Sequence, residues 1–294
     1  MEDDLNINGT KIGGNNPCYI ICEVGINANS SVDIAKQLID VAKSARCNAV
    51  KFQKRTIELQ YTPEELAQPR ISPFGTTNGD LKRALEFDYD DYREIDRYCK
   101  EIGITWLASA WDIPSVDFLE QFDVPAYKIP SARNNDIELL EYIKKTGKPV
   151  IISTGMATEK EIENAIMCIQ LDYCNNIALL VCTASYPAKI EDLHLNRIKT
   201  LKEWFLYIPI GYSGHETGLW GTLCAVVLGA KIFERHITLS RTMFGSDQAA
   251  SLEPLALQKL VREIRDFEIA AGSYELGMLP CEVEVAKKLK RKFA

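Results

Sequence analysis

Two lysines lie within runs of otherwise apolar residues: Lys51 in NAVKFQKR and Lys128 in AYKIPS. Burying a lysine is costly unless an anion compensates its charge, so both residues could hold a phosphate or a carboxylate. Ser131, Ser153 and Ser213 follow or end similar runs and could supply hydroxyl donors to the same anion. The pattern therefore indicates an anion-binding site.

Two other interpretations of these lysines remain open. One is a structural ion pair with Glu23 or Asp112, which end other apolar runs. The other is a Schiff-base lysine of the class I aldolase kind, because burial lowers the pKa of an amine.

Two of the three histidines, His215 and His236, end the last two apolar runs. If these runs are neighbouring parallel strands, their ends lie about 5 Å apart. The two imidazoles could then share a divalent cation, with oxygen from Glu234, Glu23 or Asp247; Mn²⁺, Fe²⁺, Co²⁺ and Zn²⁺ all suit such ligands. Two hydrogen-bonded core histidines are the alternative.

Eight short apolar runs alternate with amphipathic segments along the chain. Each run is rich in β-branched or aromatic residues and is short enough to be a strand buried on both faces; the runs begin at residues 18, 48, 104, 126, 149, 177, 207 and 231. Eight strand-helix units in about 250 residues predict an α/β fold, a (β/α)₈ TIM barrel over residues 17–275. In such a barrel, the polar residues at the strand ends meet at one mouth.

Three further segments flank or interrupt the barrel. Residues 1–16 are polar and predict a short hairpin, and residues 276–294 predict a short helix with a basic tail. Residues 56–80 contain three prolines and little periodicity. Long insertions in compact domains are usually functional, so we expect this one to be a lid over the mouth.

The composition narrows the class of protein. The 294 residues carry a formal charge of −7, which argues against a general nucleic-acid or anionic-membrane surface. The sequence has no run of about 18 apolar residues, and its acidic N-terminus is unlike a signal peptide, so we expect a cytoplasmic protein. Nine cysteines without a CxxC motif predict reduced, mostly buried thiols.

Seven segments that follow one another along the chain carry a resemblance to a known family: CEVGINANS, VKFQK, YKIPS, IISTGMA, CTASYP, GYSGHETG and ERHITLSRTMFGSDQAASLEP. They resemble, in order, the signature segments of the sialic acid synthase family, and the segment ending GSDQAASLEP is very specific. The match runs from about residue 10 to about residue 290. This family condenses phosphoenolpyruvate with an N-acylated amino sugar to make nonulosonic acids.

The resemblance implies a role for each candidate residue. It implies a divalent metal on His215 and His236, with Mn²⁺ favoured and Mg²⁺ or Co²⁺ as alternatives, and Glu23 as the acid/base group beside the reacting carbons. Catalysis would involve Glu23, Lys51 and Lys128, and the protein would be a homodimer whose partners are phosphoenolpyruvate and an aldose. The implied phosphoenolpyruvate ligands are Lys51, Lys128, Ser131, Ser153 and Ser213, and the implied sugar ligands are Gln53, Tyr186, Glu234 and Asp247.

Three departures from the family pattern leave the acceptor sugar open. Ala28 replaces a histidine, AWD at residues 110–112 replaces T-P-F, and Arg133 replaces a glutamate. The sequence also contains no antifreeze-like C-terminal domain, which in the family supplies an arginine to the N-acyl group. We therefore expect either a shortened chain or a different acceptor, and keep two alternatives: a 3-deoxy-sugar-acid synthase using a non-acylated aldose, and a non-catalytic sugar-phosphate-binding barrel.

Overall fold

The computed structural model describes residues 5–170 and 176–291. Eight parallel strands close into a barrel in which each strand pairs with the next along the chain and the last pairs with the first. This confirms the predicted (β/α)₈ barrel and all eight predicted strands. The strands are β1 Tyr19–Glu23, β2 Ala49–Lys54, β3 Thr105–Ala110, β4 Tyr127–Ile129, β5 Val150–Ser153, β6 Ile177–Cys182, β7 Ile210–Gly214 and β8 Ile232–His236.

One helix follows each strand and packs its apolar face on the barrel. In the first helix, Ala35, Leu38, Ile39 and Ala42 are buried at helical spacing. The second helix begins with a capping box at Asp88 and ends at Gly103, whose φ of +69° suits glycine. The helices are α1 Val32–Ser44, α2 Tyr89–Ile102, α3 Ile113–Glu120, α4 Ile137–Lys144, α5 Glu159–Ile169, α6 Arg197–Trp204, α7 Trp220–Val227 and α8 Pro254–Ala270.

The N-terminal hairpin closes one end of the barrel. Its strands, Leu5–Ile7 and Thr10–Ile12, pair in antiparallel fashion. Leu5, Ile7 and Ile12 are fully buried in one cluster with the inward-facing side chains of the barrel strands. Asn8, at the turn, donates a hydrogen bond to Thr105 at the start of β3. The interior is thus filled from the N-terminal end, which leaves the C-terminal mouth as the place for a ligand.

The insertion after β2 folds into short elements at the rim of the mouth. It contains the helices Ile57–Gln60, Pro63–Ala67 and Asn78–Ala84 and a hairpin of Pro69–Ser72 with Gly75–Thr77. These elements are too short for sequence periodicity to reveal them. Gln60 donates hydrogen bonds to the Trp111 carbonyl and to Asp112 after β3, and the ring of Phe74 packs on Phe244 after β8. Closure of this segment as a lid stays a prediction.

The two ends of the chain lie partly outside the described residues. These are residues 1–4 of the hairpin segment and residues 292–294 of the basic tail. After α8, the side chains are mostly exposed as far as a short helix, Val283–Leu289. No helix among the described residues is long and apolar enough to cross a membrane.

The predicted burial of the cysteines holds for most of those described. Cys18, Cys22, Cys47, Cys99 and Cys182 are buried as free thiols. Cys168 and Cys224 are partly buried and Cys281 is exposed, while Cys174 lies outside the described residues.

Candidate active site

A cavity of about 300 Å³ opens at the C-terminal mouth of the barrel. It collects side chains from nearly every strand end, as expected for the active-site face of this fold. Eleven of the predicted site residues line it: Glu23, Lys51, Gln53, Lys128, Ser131, Ser153, Tyr186, Ser213, His215, Glu234 and His236. The twelfth, Asp247, lies just behind, with its Oδ2 atom 3.7 Å from Nδ1 of His236.

Four buried charges of alternating sign form the floor of the cavity. Lys51 Nζ lies 2.6 Å from Glu23 Oε2 and 3.8 Å from Glu234 Oε2, and Lys128 Nζ lies 3.7 Å from Glu234 Oε1. Lys51 also donates to Ser109 at 2.7 Å. The structure thus contains the ion pair with Glu23 that the sequence left open, yet both ammonium groups still face the cavity.

Asp112 was the other carboxylate considered for the lysines, and the structure places it elsewhere. It caps the N-terminus of α3 by accepting from the Ser115 N–H and hydroxyl. It also accepts from the backbone N–H and the hydroxyl of Thr56 at the start of the insertion. The prediction that Asp112 pairs with Lys51 or Lys128 is therefore wrong, because the Asp112 oxygens accept hydrogen bonds from nearby backbone N–H groups and hydroxyls.

The two glutamates differ in proton affinity. Burial raises the pKa of Glu23 to about 7, although Lys51 opposes the shift. Burial would also raise the pKa of Glu234, but Lys128 and Lys51 outweigh it and hold that pKa at about 2. Near neutral pH, Glu23 can therefore exchange a proton while Glu234 stays charged, which is the separation of roles that acid/base chemistry needs.

The lysines respond oppositely to the same surroundings. Burial lowers the pKa of Lys128, and its contact with Glu234 does not reverse the shift. Burial also disfavours the charge on Lys51, but Glu23 and Glu234 outweigh it and raise the pKa of Lys51. Lys128 further donates to Ser153 at 2.7 Å, so this serine fixes the direction of its ammonium group.

His215 and His236 lie side by side with their ring centroids 5.3 Å apart. Nδ1 of His215 is 2.9 Å from the Thr183 carbonyl oxygen, so it carries the proton and leaves Nε2 with a free lone pair. Nδ1 of His236 is buried without a hydrogen-bond partner among the described residues. Burial lowers the pKa of both rings, to about 4 for His215, so both are neutral near pH 7.

Two neutral imidazoles with free lone pairs fit a divalent cation that takes its other ligands from water or substrate. Within residues 5–170 and 176–291, no group of three or more His, Cys, Asp and Glu side chains is arranged to hold a metal. The two histidines are therefore candidates for two ligands of such an ion.

Two polar side chains complete the wall nearest the histidines and Glu23. The ring of Tyr186 lies 4.1 Å from the His215 ring, centroid to centroid, and is half exposed at the rim. Gln53 donates to Glu23 Oε1 at 2.8 Å. The chain turns tightly beside this carboxylate at Gly25, where φ is +50° and a Cβ would lie 2.9 Å from Glu23 Oε1.

Sequence reasoning missed some of the lining. Cys182 faces the cavity at the end of β6, with its Sγ 3.5 Å from the Ser131 hydroxyl. Strand alternation could have found it, because Ala178 and Leu180 point into the barrel. Trp111 and Met156 also line the cavity. Arg133 is not among the lining residues and instead donates to Gln60 of the insertion.

Fold and site together define a (β/α)₈ barrel whose C-terminal mouth holds buried charged groups beside two histidines, the arrangement of a barrel enzyme. The NeuB family profile matches residues 38–275, and the chain belongs to this family, the sialic acid synthases that its motifs resemble. It is 42% identical to human N-acetylneuraminate-9-phosphate synthase, over 96% of this chain and 79% of that protein. It is 34% identical to N,N'-diacetyllegionaminic acid synthase of Legionella pneumophila, over 99% of this chain and 84% of that protein.

A solved structure agrees with these relatives. The N-acetylneuraminic acid (sialic acid) synthetase of Leptospira borgpetersenii, in complex with citrate, superposes with a TM-score of 0.85 at 32% identity and 98% coverage of both chains. The protein is therefore an enzyme of the N-acetylneuraminate synthase type.

Proposed function

We propose that the protein condenses phosphoenolpyruvate with an N-acylated amino sugar, N-acetylmannosamine or a close relative, to give a nonulosonic acid and phosphate. One observation carries the proposal: a single cavity at the barrel mouth holds two lysines, four serines, two neutral histidines and a glutamate with a pKa of about 7. We further propose Mn²⁺ as the cation, a homodimer as the assembly and the cytoplasm as the compartment, on the family resemblance.

In this proposal the lysines hold the anionic substrate. Phosphoenolpyruvate carries a phosphate and a carboxylate, and Lys51 and Lys128 reach the cavity from different strands. Charge-assisted hydrogen bonds to such groups are stronger than neutral ones and fix orientation as well as affinity. Ser131, Ser153 and Ser213 add hydroxyl donors around the same anion. The lysines would exchange part of their contact with Glu23 and Glu234 for the substrate.

The sugar binds on the histidine side of the cavity in this scheme. A divalent cation on His215 and His236 would act there as a Lewis acid toward the acceptor carbonyl oxygen. Tyr186 packs on the His215 ring and, with Gln53, presents a polar edge to the sugar. Glu234 and Asp247 would accept hydrogen bonds from sugar hydroxyls, since an ionised carboxylate has acceptor oxygens and no donor.

The reaction then forms one C–C bond and breaks one C–O bond. C3 of phosphoenolpyruvate attacks the aldehyde carbon, which leaves C2 with oxocarbenium character. Glu23, placed against Lys51 and Gln53, stabilises that charge as a carboxylate and accepts a proton from the water whose oxygen bonds to C2. The alkoxide on the former aldehyde oxygen takes up a proton to become a hydroxyl group. Collapse of the adduct expels phosphate, and the lysines keep the leaving group in place.

The acceptor is either free or phosphorylated. Because phosphoenolpyruvate contributes three carbons, C6 of the acceptor becomes C9 of the product. The human relative is named a 9-phosphate synthase, whereas the Legionella relative is named for an unphosphorylated acid. Both acceptor forms therefore belong in the test.

The test measures phosphate release from phosphoenolpyruvate with Mn²⁺ across a panel of acceptors. The panel contains N-acetylmannosamine and its 6-phosphate, diacetamido hexoses, mannose, arabinose and arabinose 5-phosphate. Release with an N-acylated sugar supports the proposal. Release with a non-acylated aldose alone would replace it with the 3-deoxy-sugar-acid synthase alternative, and no release with any acceptor would favour a non-catalytic barrel.

A further inference from the structure

A fully buried ion pair lies directly behind the two histidines. Arg235 is 1% exposed and Glu216 is 2% exposed, and Nη1 of the arginine lies 2.9 Å from Oε1 of the glutamate. Arg235 immediately precedes His236 in the chain, and Glu216 immediately follows His215. Because neighbouring residues of an extended chain point to opposite sides, the pair lies outside the barrel wall while the histidines face the cavity.

The Arg235 side chain donates to backbone and to side-chain atoms of the segment that follows β7. Its Nη2 donates to the Glu216 carbonyl oxygen at 2.7 Å and to the Gly218 carbonyl oxygen at 3.1 Å. Its Nη1 donates to the Thr222 hydroxyl in α7 at 2.7 Å. The second carboxylate oxygen of Glu216 accepts from the Tyr212 hydroxyl at 2.8 Å. A residue of β8 thus fixes the segment that carries His215.

Two glycines leave the space that this carboxylate occupies. A Cβ at Gly214 would lie 2.6 Å from Glu216 Oε2, and a Cβ at Gly221 would lie 2.7 Å from Glu216 Oε1. Gly214 also pairs with Arg235 in the β7–β8 register. The backbone around the pair is therefore shaped to hold a charged group in one orientation.

Stability alone does not account for such a pair. Removing two charges from water costs several kcal/mol per ion, and apolar pairs of similar size often stabilise a fold equally well. An ion pair with backbone contacts supplies a fixed geometry. Here Arg235 is the chain neighbour of His236, and Glu216 is the chain neighbour of His215.

We propose that Arg235 and Glu216 are positioning residues that set the separation and orientation of His215 and His236, and so the affinity of the site for a divalent cation. This inference rests on the proposed function, in which the two histidines hold the ion. Groups that hydrogen-bond to metal ligands typically change metal affinity 10- to 100-fold when they are replaced, and because this pair acts through the backbone we expect the lower end of that range.

The experiment is Mn²⁺ binding to chelator-treated protein, measured from the electron paramagnetic resonance signal of free Mn²⁺ at a temperature where every variant is folded. Glu216→Gln keeps the shape of the side chain and removes its charge, and we expect the Kd for Mn²⁺ to rise about 10-fold or more. Arg235→Lys retains the charge but not the contacts to both carbonyls, so its Kd should lie between those of the wild type and Arg235→Met.

A matched control separates positioning from general loss of stability. Leu140 is fully buried in α4, away from the histidines, and Leu140→Ala should destabilise the fold by about 2–5 kcal/mol. We expect its Kd for Mn²⁺ to equal that of the wild type. A Kd for Glu216→Gln within twofold of the wild type would overturn the positioning role.

His215→Ala and His236→Ala distinguish the two possible failures. If both abolish Mn²⁺ binding while Glu216→Gln and Arg235→Met leave it unchanged, the positioning inference fails and the proposed metal site stands. If the wild type binds no Mn²⁺, or binding survives both histidine variants, the proposed metal site fails and the positioning inference fails with it.

Discussion

The two faces of β7 and β8 carry buried charges of different kinds. On the outer face, Arg235 and Glu216 use most of their polar atoms on protein partners, and only Nε of the arginine has none among the described residues. On the inner face, Oε2 of Glu234 and Nδ1 of His236 are buried without a hydrogen-bond partner among the described residues. Fully bonded polar groups fix a shape, whereas incompletely bonded polar groups beside a cavity are available to a ligand.

The largest expected effect on stability is on the outer face. Arg235→Met leaves the Glu216 carboxylate buried without its cation, so we expect the free energy of unfolding to fall by about 3–5 kcal/mol. Chemical denaturation followed by circular dichroism measures this loss. The double variant Arg235→Met/Glu216→Gln should recover part of it, because no unpaired charge then remains. A loss below about 1 kcal/mol for the single variant would contradict the contrast between the faces.

On the inner face, replacement should affect ligand binding more than folding. Lys128→Ala removes a charged donor from the cavity, and we expect the KM for phosphoenolpyruvate to rise about 10- to 100-fold, since hydrogen bonds to charged groups are worth about 1.5–3 kcal/mol. Steady-state phosphate release gives the KM, and denaturation gives the accompanying change in stability. An unchanged KM would remove Lys128 from the substrate site.

A smaller effect should follow from loss of a hydroxyl in the same cavity. Ser153→Ala deletes the 2.7 Å contact that directs Lys128, and we expect the KM for phosphoenolpyruvate to rise about fivefold. Ser115→Ala is a matched control, because the Ser115 hydroxyl bonds to Asp112 outside the cavity lining. Equal effects of the two variants on KM would show that the contact with Lys128 is unimportant.

A pH dependence of stability should arise at Glu23. Its pKa is raised from 4.5 to about 7 by burial, so the folded state holds a proton that the unfolded state releases. Unfolding is therefore favoured as pH rises between those values, and the wild type should lose stability relative to Glu23→Gln from about pH 4.5 to about pH 7. Denaturation curves at a series of pH values measure the difference. A constant difference would mean that folding does not raise the pKa of Glu23.

Much of the barrel and of the site could be predicted from the sequence. Strands buried on both faces stand out as apolar runs, and polar residues that end such runs have one place to meet. Lys54 and Arg55 show the limit of this reasoning, because they too end a strand yet point away from the cavity. Lys54 lies over the ring of Phe118 and donates to the Phe87 carbonyl, and Arg55 pairs with Glu86.

The ion pair of Arg235 and Glu216 could not be predicted from the sequence for a related reason. Which face of a strand a charged residue occupies depends on register, and its partner here follows a different strand. The short elements of the insertion were also invisible, because segments of three to seven residues show no clear period.

The most direct test of the central claim uses phosphoenolpyruvate labelled with ¹⁸O in the bridge between C2 and phosphorus. A condensing synthase that adds water at C2 and expels phosphate breaks the C–O bond, so the account predicts ¹⁸O in the released phosphate and release that depends on the acceptor sugar. Label retained in the carbon product would show that the P–O bond breaks and would contradict the account. Phosphate released at the same rate without a sugar would also contradict it and would indicate a phosphatase.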